Sequence, residues 1–264
     1  MRNKYREFYT KKYESGEYGG IREEEAEINP FYEILKESLE RYKIDDASKC
    51  LEIGSGRGVY QDMVQNYIGL DYSESVGKYY HKLFVSASAE EMPFSDETFD
   101  FIWSYQVFEH IPNPEEALAE SMRVLKKDGI FLLFPAWYCR PWAAEGYQVR
   151  PYSDFNLQGK LYKLIIPVLN FIPIRLVNIF AYRSFYSLYY FLSNSKKNLT
   201  TFRLPFKKIK ANYEVFWQPD SDACCILDPY LVILWCRSQG YKILSHKGLI
   251  RQFFIGYEPI EIQK

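Results

Sequence analysis

LEIGSGRG, Leu51 to Gly58, reads as the end of a β-strand running into a glycine turn. Lys49 to Ile53 is a short apolar strand that breaks at Gly54, and Gly54, Gly56 and Gly58 follow at alternate positions before a short helix. Glycines there let the backbone approach a ligand at the carboxyl end of a parallel strand, where open α/β sheets bind small molecules. The spacing is G-x-G-x-G with Val59 next, so it departs from the dinucleotide fingerprint G-x-G-x-x-G. No G-K-[ST] follows, which excludes a P-loop.

Strand and helix alternate on both sides of this turn. Asn29-Pro30 starts a helix that runs to about Tyr42, with Asn as cap and Pro at the first helical position. Tyr67 to Asp71 is a second strand, Glu74 to Phe84 a helix, Val85 to Ser88 a third strand and Phe99 to Tyr105 a fourth. Asn113 caps a helix to Leu125, and Asp128-Gly129 turns the chain into a fifth strand, Ile130 to Phe134. From Asp154 to about Ser195 helix-length apolar stretches replace the alternation. It returns with a helix over Pro229 to Ser238, a strand over Tyr241 to Ser245 and another over Arg251 to Tyr257. The expected fold is α/β, a Rossmann-like sheet with helices on both faces and a helical insert between the fifth and sixth strands. The organisation is an N-terminal arm (1–28), a core (29–140 and 214–264) and an aromatic, basic insert (141–213).

Asp71, in GLDYS, ends the second strand. An acid at a strand end is commonly a helix N-cap, but behind the glycine turn it stands where such sheets hold both hydroxyls of a ribose.

The run SASAEEMPFSDETFDFIWSYQVFEHIPNPEEALAESMRVLKKDGIFLLF, Ser86 to Phe134, resembles the core of class I S-adenosylmethionine-dependent methyltransferases, in the branch that acts on quinones, lipids and sugars. With LEIGSGRG and GLDYS the likeness spans about Cys50 to Pro135. It implies S-adenosyl-L-methionine as cofactor. By position, Glu52 and the backbone of Gly54, Ser55 and Gly56 hold its methionine end, Asp71 takes the ribose, and Tyr72 packs beside the adenine. Ala89 offers its N–H to the ring, and Ser104 and Tyr105 line the methyl end. Ser88 departs from the Asp common in the family; it is a neutral, weaker acceptor, with Glu90 beside it as a substitute. Met92 and Phe94 read as core.

Methyl transfer from a sulfonium needs alignment first, and a hydroxyl acceptor also needs a base. Of three histidines, His81 reads as surface and His246 as structural. His110, just past the fourth strand, is the candidate base; its competing reading is a helix-start residue bonded to backbone. The segment Asn212 to Leu244 is similar to methyltransferases of bacterial surface-polysaccharide synthesis. There Asp220, Asp222 and Asp228 form a polar stretch with two readings, approach to a sugar or capping of the helix at Pro229, and Asp228 before Pro229 reads as the cap. The N/D-P-P-Y motif of amino-methylating nucleic-acid enzymes is missing after the fourth strand.

Composition bounds the partners. The 264 residues are 47% hydrophobic and 25% charged with net charge −1, which fits a globular chain and argues against a nucleic-acid binder. Five cysteines show neither disulfide nor zinc spacing, so no metal is expected. The polar N-terminus is no signal peptide, and the apolar stretches are too broken to span a bilayer, so a cytoplasmic location is expected. From Phe155 to Tyr213, however, ten basic residues and thirteen aromatics occur without one acid. Three accounts stand open for this insert: packing as a core or homodimer interface, an anionic-acceptor lid clamped by Arg203, Lys207, Lys208 and Lys210, and peripheral membrane contact. The expected activity is O-methylation of a sugar hydroxyl on a glycan or glycolipid precursor. The alternatives are a quinone or lipid head-group acceptor and a non-catalytic interaction protein.

Overall fold

The structure is a computed structural model that describes residues 2–15, 27–195 and 202–264. Seven strands form one sheet: β1 (Cys50–Ile53), β2 (Tyr67–Asp71), β3 (Leu83–Ser86), β4 (Phe99–Tyr105), β5 (Leu125–Phe134), β8 (Lys242–Ile243) and β9 (Ile260–Gln263). Their order is β3-β2-β1-β4-β5-β9-β8. Pairing is parallel from β3 through β5, and β9 inserts antiparallel between β5 and β8. A separate two-stranded ladder joins β6 (Lys207–Lys208) and β7 (Cys225–Ile226).

All four residues of β1 are buried, as are five of the seven in β4. Both faces of the central strands are therefore covered, the usual state of a parallel sheet and the reason these strands read as continuous apolar runs. Helix α1 (Arg2–Ser15) precedes α2 (Pro30–Arg41), which Asn29 caps by accepting from the Phe31 N–H. Helix α3 is Pro114–Val124. Its first-turn neighbour Asn113 sits at the cap position without a side-chain cap bond. Met92 is buried and Phe94 packs edge-on to Phe99, so both belong to the core.

Between β5 and β8 lie two long helices, α4 (Leu157–Leu169) and α5 (Ile172–Ser195). Arg183 on α5 is buried against Asp228, which in turn caps α6 (Pro229–Ser238) by accepting from the Tyr230 and Leu231 N–H groups. Asp228 is thus the expected cap, with an ion pair added.

Four local expectations are corrected. The expected helix from Glu74 to Phe84 is a 3-10 stretch, Glu74–Tyr79, and β3 begins early, at Leu83. Ser73 makes no side-chain cap, and the rings of Tyr80 and Phe84 pack on each other. The short helix after the glycine turn is likewise one 3-10 turn, Gln61–Met63, in the connection between β1 and β2 that the glycine turn opens. The expected strand from Arg251 to Tyr257 is instead the end of α7 (Leu249–Phe253), and the last strand is β9. Leu249, Ile250 and Phe254 are exposed, whereas Ile260 and Ile262 are fully buried, so burial selected the later segment. Finally, the polar N-terminal arm contains a helix, α1, whose Phe8, Tyr9 and Tyr13 are buried.

Candidate active site

The carboxyl ends of β1, β2 and β4 open into a cavity of about 1750 Å³. Its floor is the glycine turn. Gly54 has φ +70°, and a Cβ there would lie 2.2 Å from the Val107 side chain. Gly56, at φ +51°, turns its N–H onto Asp71 Oδ2 at 2.9 Å. The other Asp71 oxygen accepts from the Ser73 N–H at 2.9 Å. Burial raises the Asp71 carboxyl, and the backbone N–H groups of Ser73 and Gly56 oppose that shift. A carboxylate offers about four lone-pair sites, so Asp71 braces the turn and retains capacity for a ligand's hydroxyls.

Glu52 also lines the cavity and is 4% exposed. Burial pushes its carboxyl up to about 8, against the lowering effect of a 2.5 Å hydrogen bond from the Tyr67 hydroxyl. Such a group holds a proton until a cation, for instance an amino group, arrives. Arg57 enters the cavity from the same turn; its Nε is buried with no hydrogen-bond partner, and its guanidinium stands 5.2 Å over the Tyr79 ring. The cavity is therefore lined by both a buried acid and a cation whose Nε lacks a hydrogen bond, groups of the kind an α-amino acid would engage.

Ser55, Tyr72, Ser88, Ala89 and Glu90 all line the cavity. Ser88 Oγ already accepts from the Glu90 N–H at 3.2 Å, and Glu90 Oε1 accepts from the Asn113 N–H at 2.9 Å. Tyr105 lines it too, held by stacking on Phe31 at 4.3 Å. Ser104 does not. It is buried and its hydroxyl donates to the Ile53 carbonyl at 3.1 Å, so side-chain alternation along β4 points it into the sheet. Gln106 and Val107 take the place expected for it.

His110 ends a 3-10 turn (Phe108–His110) and faces the cavity. Its Nδ1 lies 3.5 Å from Asp222 Oδ2, and its Nε2 lies 3.7 Å from Glu109 Oε1. Burial pulls the imidazole down, but the carboxylates of Asp222 and Glu109, with Cys224, outweigh it and hold the ring at about 9. The Tyr9 hydroxyl donates to Asp222 at 2.9 Å. His81, by contrast, is an exposed partner of Asp62, and His246 is tied to Glu258 at 2.5 Å; neither lines this cavity.

The remaining wall mixes aromatic and polar groups, among them Trp137, Tyr138, Trp142, Asn170, Asn178 and Asp220. The four-residue clamp read in the sequence is not assembled. Lys208 lines the cavity, but Lys210 pairs with Glu145 and Arg203 reaches towards Glu115 at 3.7 Å. Carboxylates distant in sequence, Glu145 and Glu115, claim those two cations. Sequence reasoning missed Tyr9, Tyr13, Arg57 and Glu109. The aromatic spacing Phe8, Tyr9, Tyr13 within a polar segment was the available signal for α1. Among the described residues no cluster of His, Cys, Asp and Glu could hold a metal ion.

Comparison with known proteins supplies a family. Residues 51–133, which contain the glycine turn, Asp71 and His110, match the family described as "Methyltransferase domain". That stretch, about a third of the chain, is similar to a methyltransferase domain. An uncharacterised protein of Methanocaldococcus jannaschii is 34% identical to this chain over 108 residues, covering 39% of the chain and 43% of that protein. A second from the same organism is 31% identical over 134 residues, covering 50% and 58%. The uncharacterised methyltransferase YcgJ of Bacillus subtilis is 31% identical over 99 residues, 32% of this chain and 39% of YcgJ. Its crystal structure aligns with 27% identity and a TM-score of 0.36, over 39% of this chain and 50% of that one. The chain thus spans about half the length of the curated relatives it matches.

The methyltransferase family's donor is S-adenosyl-L-methionine. The residues present fit that group: a glycine cradle that a Cβ would obstruct, a buried acid and a cation lining the cavity, and a braced carboxylate at Asp71.

Proposed function

We propose that the protein transfers a methyl group from S-adenosyl-L-methionine to a hydroxyl oxygen, that of a sugar in a glycan or glycolipid precursor. The observation that carries this reading is His110, placed in the cavity beyond β4 and backed by Asp222 at 3.5 Å. When bound, the sulfonium supplies a methyl carbon whose bond to sulfur breaks, its electron pair staying on sulfur, as the acceptor oxygen bonds to that carbon. Glu52 and Arg57 orient the amino-acid end, and Asp71 holds the ribose. The chain's main task is alignment, which alone supplies a large part of such a rate.

His110 takes the proton that the acceptor oxygen loses. Asp222 then stabilises the imidazolium, and Tyr9 fixes Asp222. A ring held at about 9 is mostly protonated at neutral pH, so the competent neutral form grows as pH rises towards 9. The acceptor wall favours a sugar. Trp137, Tyr138 and Trp142 offer aromatic faces, while Asn170, Asn178 and Asp220 offer hydrogen bonds. Aromatic faces with a few placed polar groups suit a flat, hydroxyl-rich ligand.

The test is label transfer from methyl-labelled cofactor to sugar nucleotides, lipid-linked sugars and quinones. Label on a sugar hydroxyl is expected. Label on a quinone alone, or none in any acceptor while calorimetry shows the cofactor bound, overturns the proposal.

A further inference from the structure

Helices α4 and α5 leave an apolar surface that the other described residues do not cover. Of twenty-nine exposed large apolar side chains among the described residues, eighteen lie between Leu157 and Leu192. A monomer in water rarely carries so large a patch without a function for it. The two helices meet at 84°, and no single described helix is long and apolar enough to cross a membrane, although the bent pair passes that test together. The bend projects Val168, Phe171 and Ile172, the last 68% exposed, and Val177 and Phe180 continue the surface along α5.

Charge says what covers it. Lys160 lies four residues before Leu164 and eight before Val168, on the same side of α4, and Arg175 follows Ile172 by three on α5. Among the described residues Lys160, Arg175, Lys207 and Lys208 have no ion-pair partner, and no acid occurs from Phe155 to Tyr213. A second copy seated on this face by two-fold symmetry would bring the same acid-free basic segment against itself. An anionic bilayer answers both the charge and the apolar face. Aromatic and basic side chains also favour the headgroup region.

The cavity adds position. Arg175, Asn178 and Ile179 of α5 line it together with Lys208 and Phe216, so the apolar face and the acceptor wall share one helix.

We infer that the α4–α5 face docks on a lipid bilayer rich in anionic headgroups, with the bend at Phe171–Ile172 entering the interface. This inference stands apart from the methyl-transfer reading and does not need it.

The test is co-sedimentation of the full chain with vesicles of phosphatidylcholine alone and of equimolar phosphatidylcholine and phosphatidylglycerol. Binding to the anionic vesicles is expected, weakened by salt, and not to the neutral ones. The double variant F171D/I172D should bind about tenfold more weakly or less, since each large apolar side chain withdrawn from the interface removes that order of partitioning. Cofactor calorimetry and thermal melting should match the parent and show that the variant is folded. No binding of folded parent to anionic vesicles overturns the inference. So does equal binding by parent and variant, or a dimer in ultracentrifugation that the same substitutions dissolve. Vesicle binding without label transfer would count against the methyl-transfer proposal alone, and label transfer without vesicle binding against this inference alone.

Discussion

The hydroxyl of Tyr9 lies 2.9 Å from Asp222 Oδ2, so a helix before the sheet and a loop after the insert meet behind His110. The donated bond spreads the charge that Asp222 presents to the imidazole. Tyr9→Phe should therefore raise the His110 titration midpoint above its present value of about 9. An NMR titration of the ring measures it, and an unchanged or lower midpoint refutes the coupling.

His110→Asn should lower kcat by about 10²–10⁴-fold with cofactor affinity kept, because the base is lost and the cofactor end is untouched. In the parent, the rate should climb with pH, reach half its maximum near 9 and level above that. The variant should show no such step. A parent profile flat from pH 6 to 10 would return His110 to a structural role.

The same group shapes stability. Its folded value of about 9 exceeds the unfolded value of about 6.5, so the stabilisation is complete below about 6.5 and disappears as pH rises through 9. Melting temperature should fall more steeply across that window in the parent than in His110→Gln.

Glu52, held at about 8, is mostly protonated at neutral pH and must ionise when a ligand ammonium arrives. Binding of S-adenosylhomocysteine at pH 7 should release close to one proton, seen as a binding enthalpy that changes with the ionisation enthalpy of the buffer. Glu52→Gln should abolish that dependence. A dependence of equal size in the variant would assign the proton elsewhere.

Arg183 and Asp228 form a buried pair at 3.0 Å. Arg183→Met leaves Asp228 buried and unpaired and should cost about 3–5 kcal/mol in urea unfolding. Adding Asp228→Asn should recover part of it. Additive losses in the double variant would show that the two do not act as a pair.

The central strands were legible in the sequence because burial on both faces leaves continuous apolar runs bounded by Gly and Asp, as at Tyr67 to Asp71 and Phe99 to Tyr105. The glycine turn was legible for a related reason: Gly54 and Gly56 occupy backbone conformations that other residues reach only under strain. Asp222 was legible only as one of several polar residues, since its partner Tyr9 is 213 positions away. Ser104 misled because the period of two along β4, not its place beside Tyr105, sets which way it points. The clamp misled because Glu115 and Glu145, distant in sequence, claim Arg203 and Lys210.

Strand β9 pairs Ile260 with Leu133 and Ile262 with Phe131, between β5 and β8. During folding, β5 therefore keeps an unpaired edge until a segment more than a hundred residues later reaches it, across the whole α4–α5 excursion. Such distant pairing slows folding, and the waiting edge, apolar at Phe131 to Phe134, is a template for strand addition between chains. Refolding yield should consequently fall with protein concentration, and an early intermediate should protect the amides of β1, β2 and β4 from hydrogen exchange before those of β9.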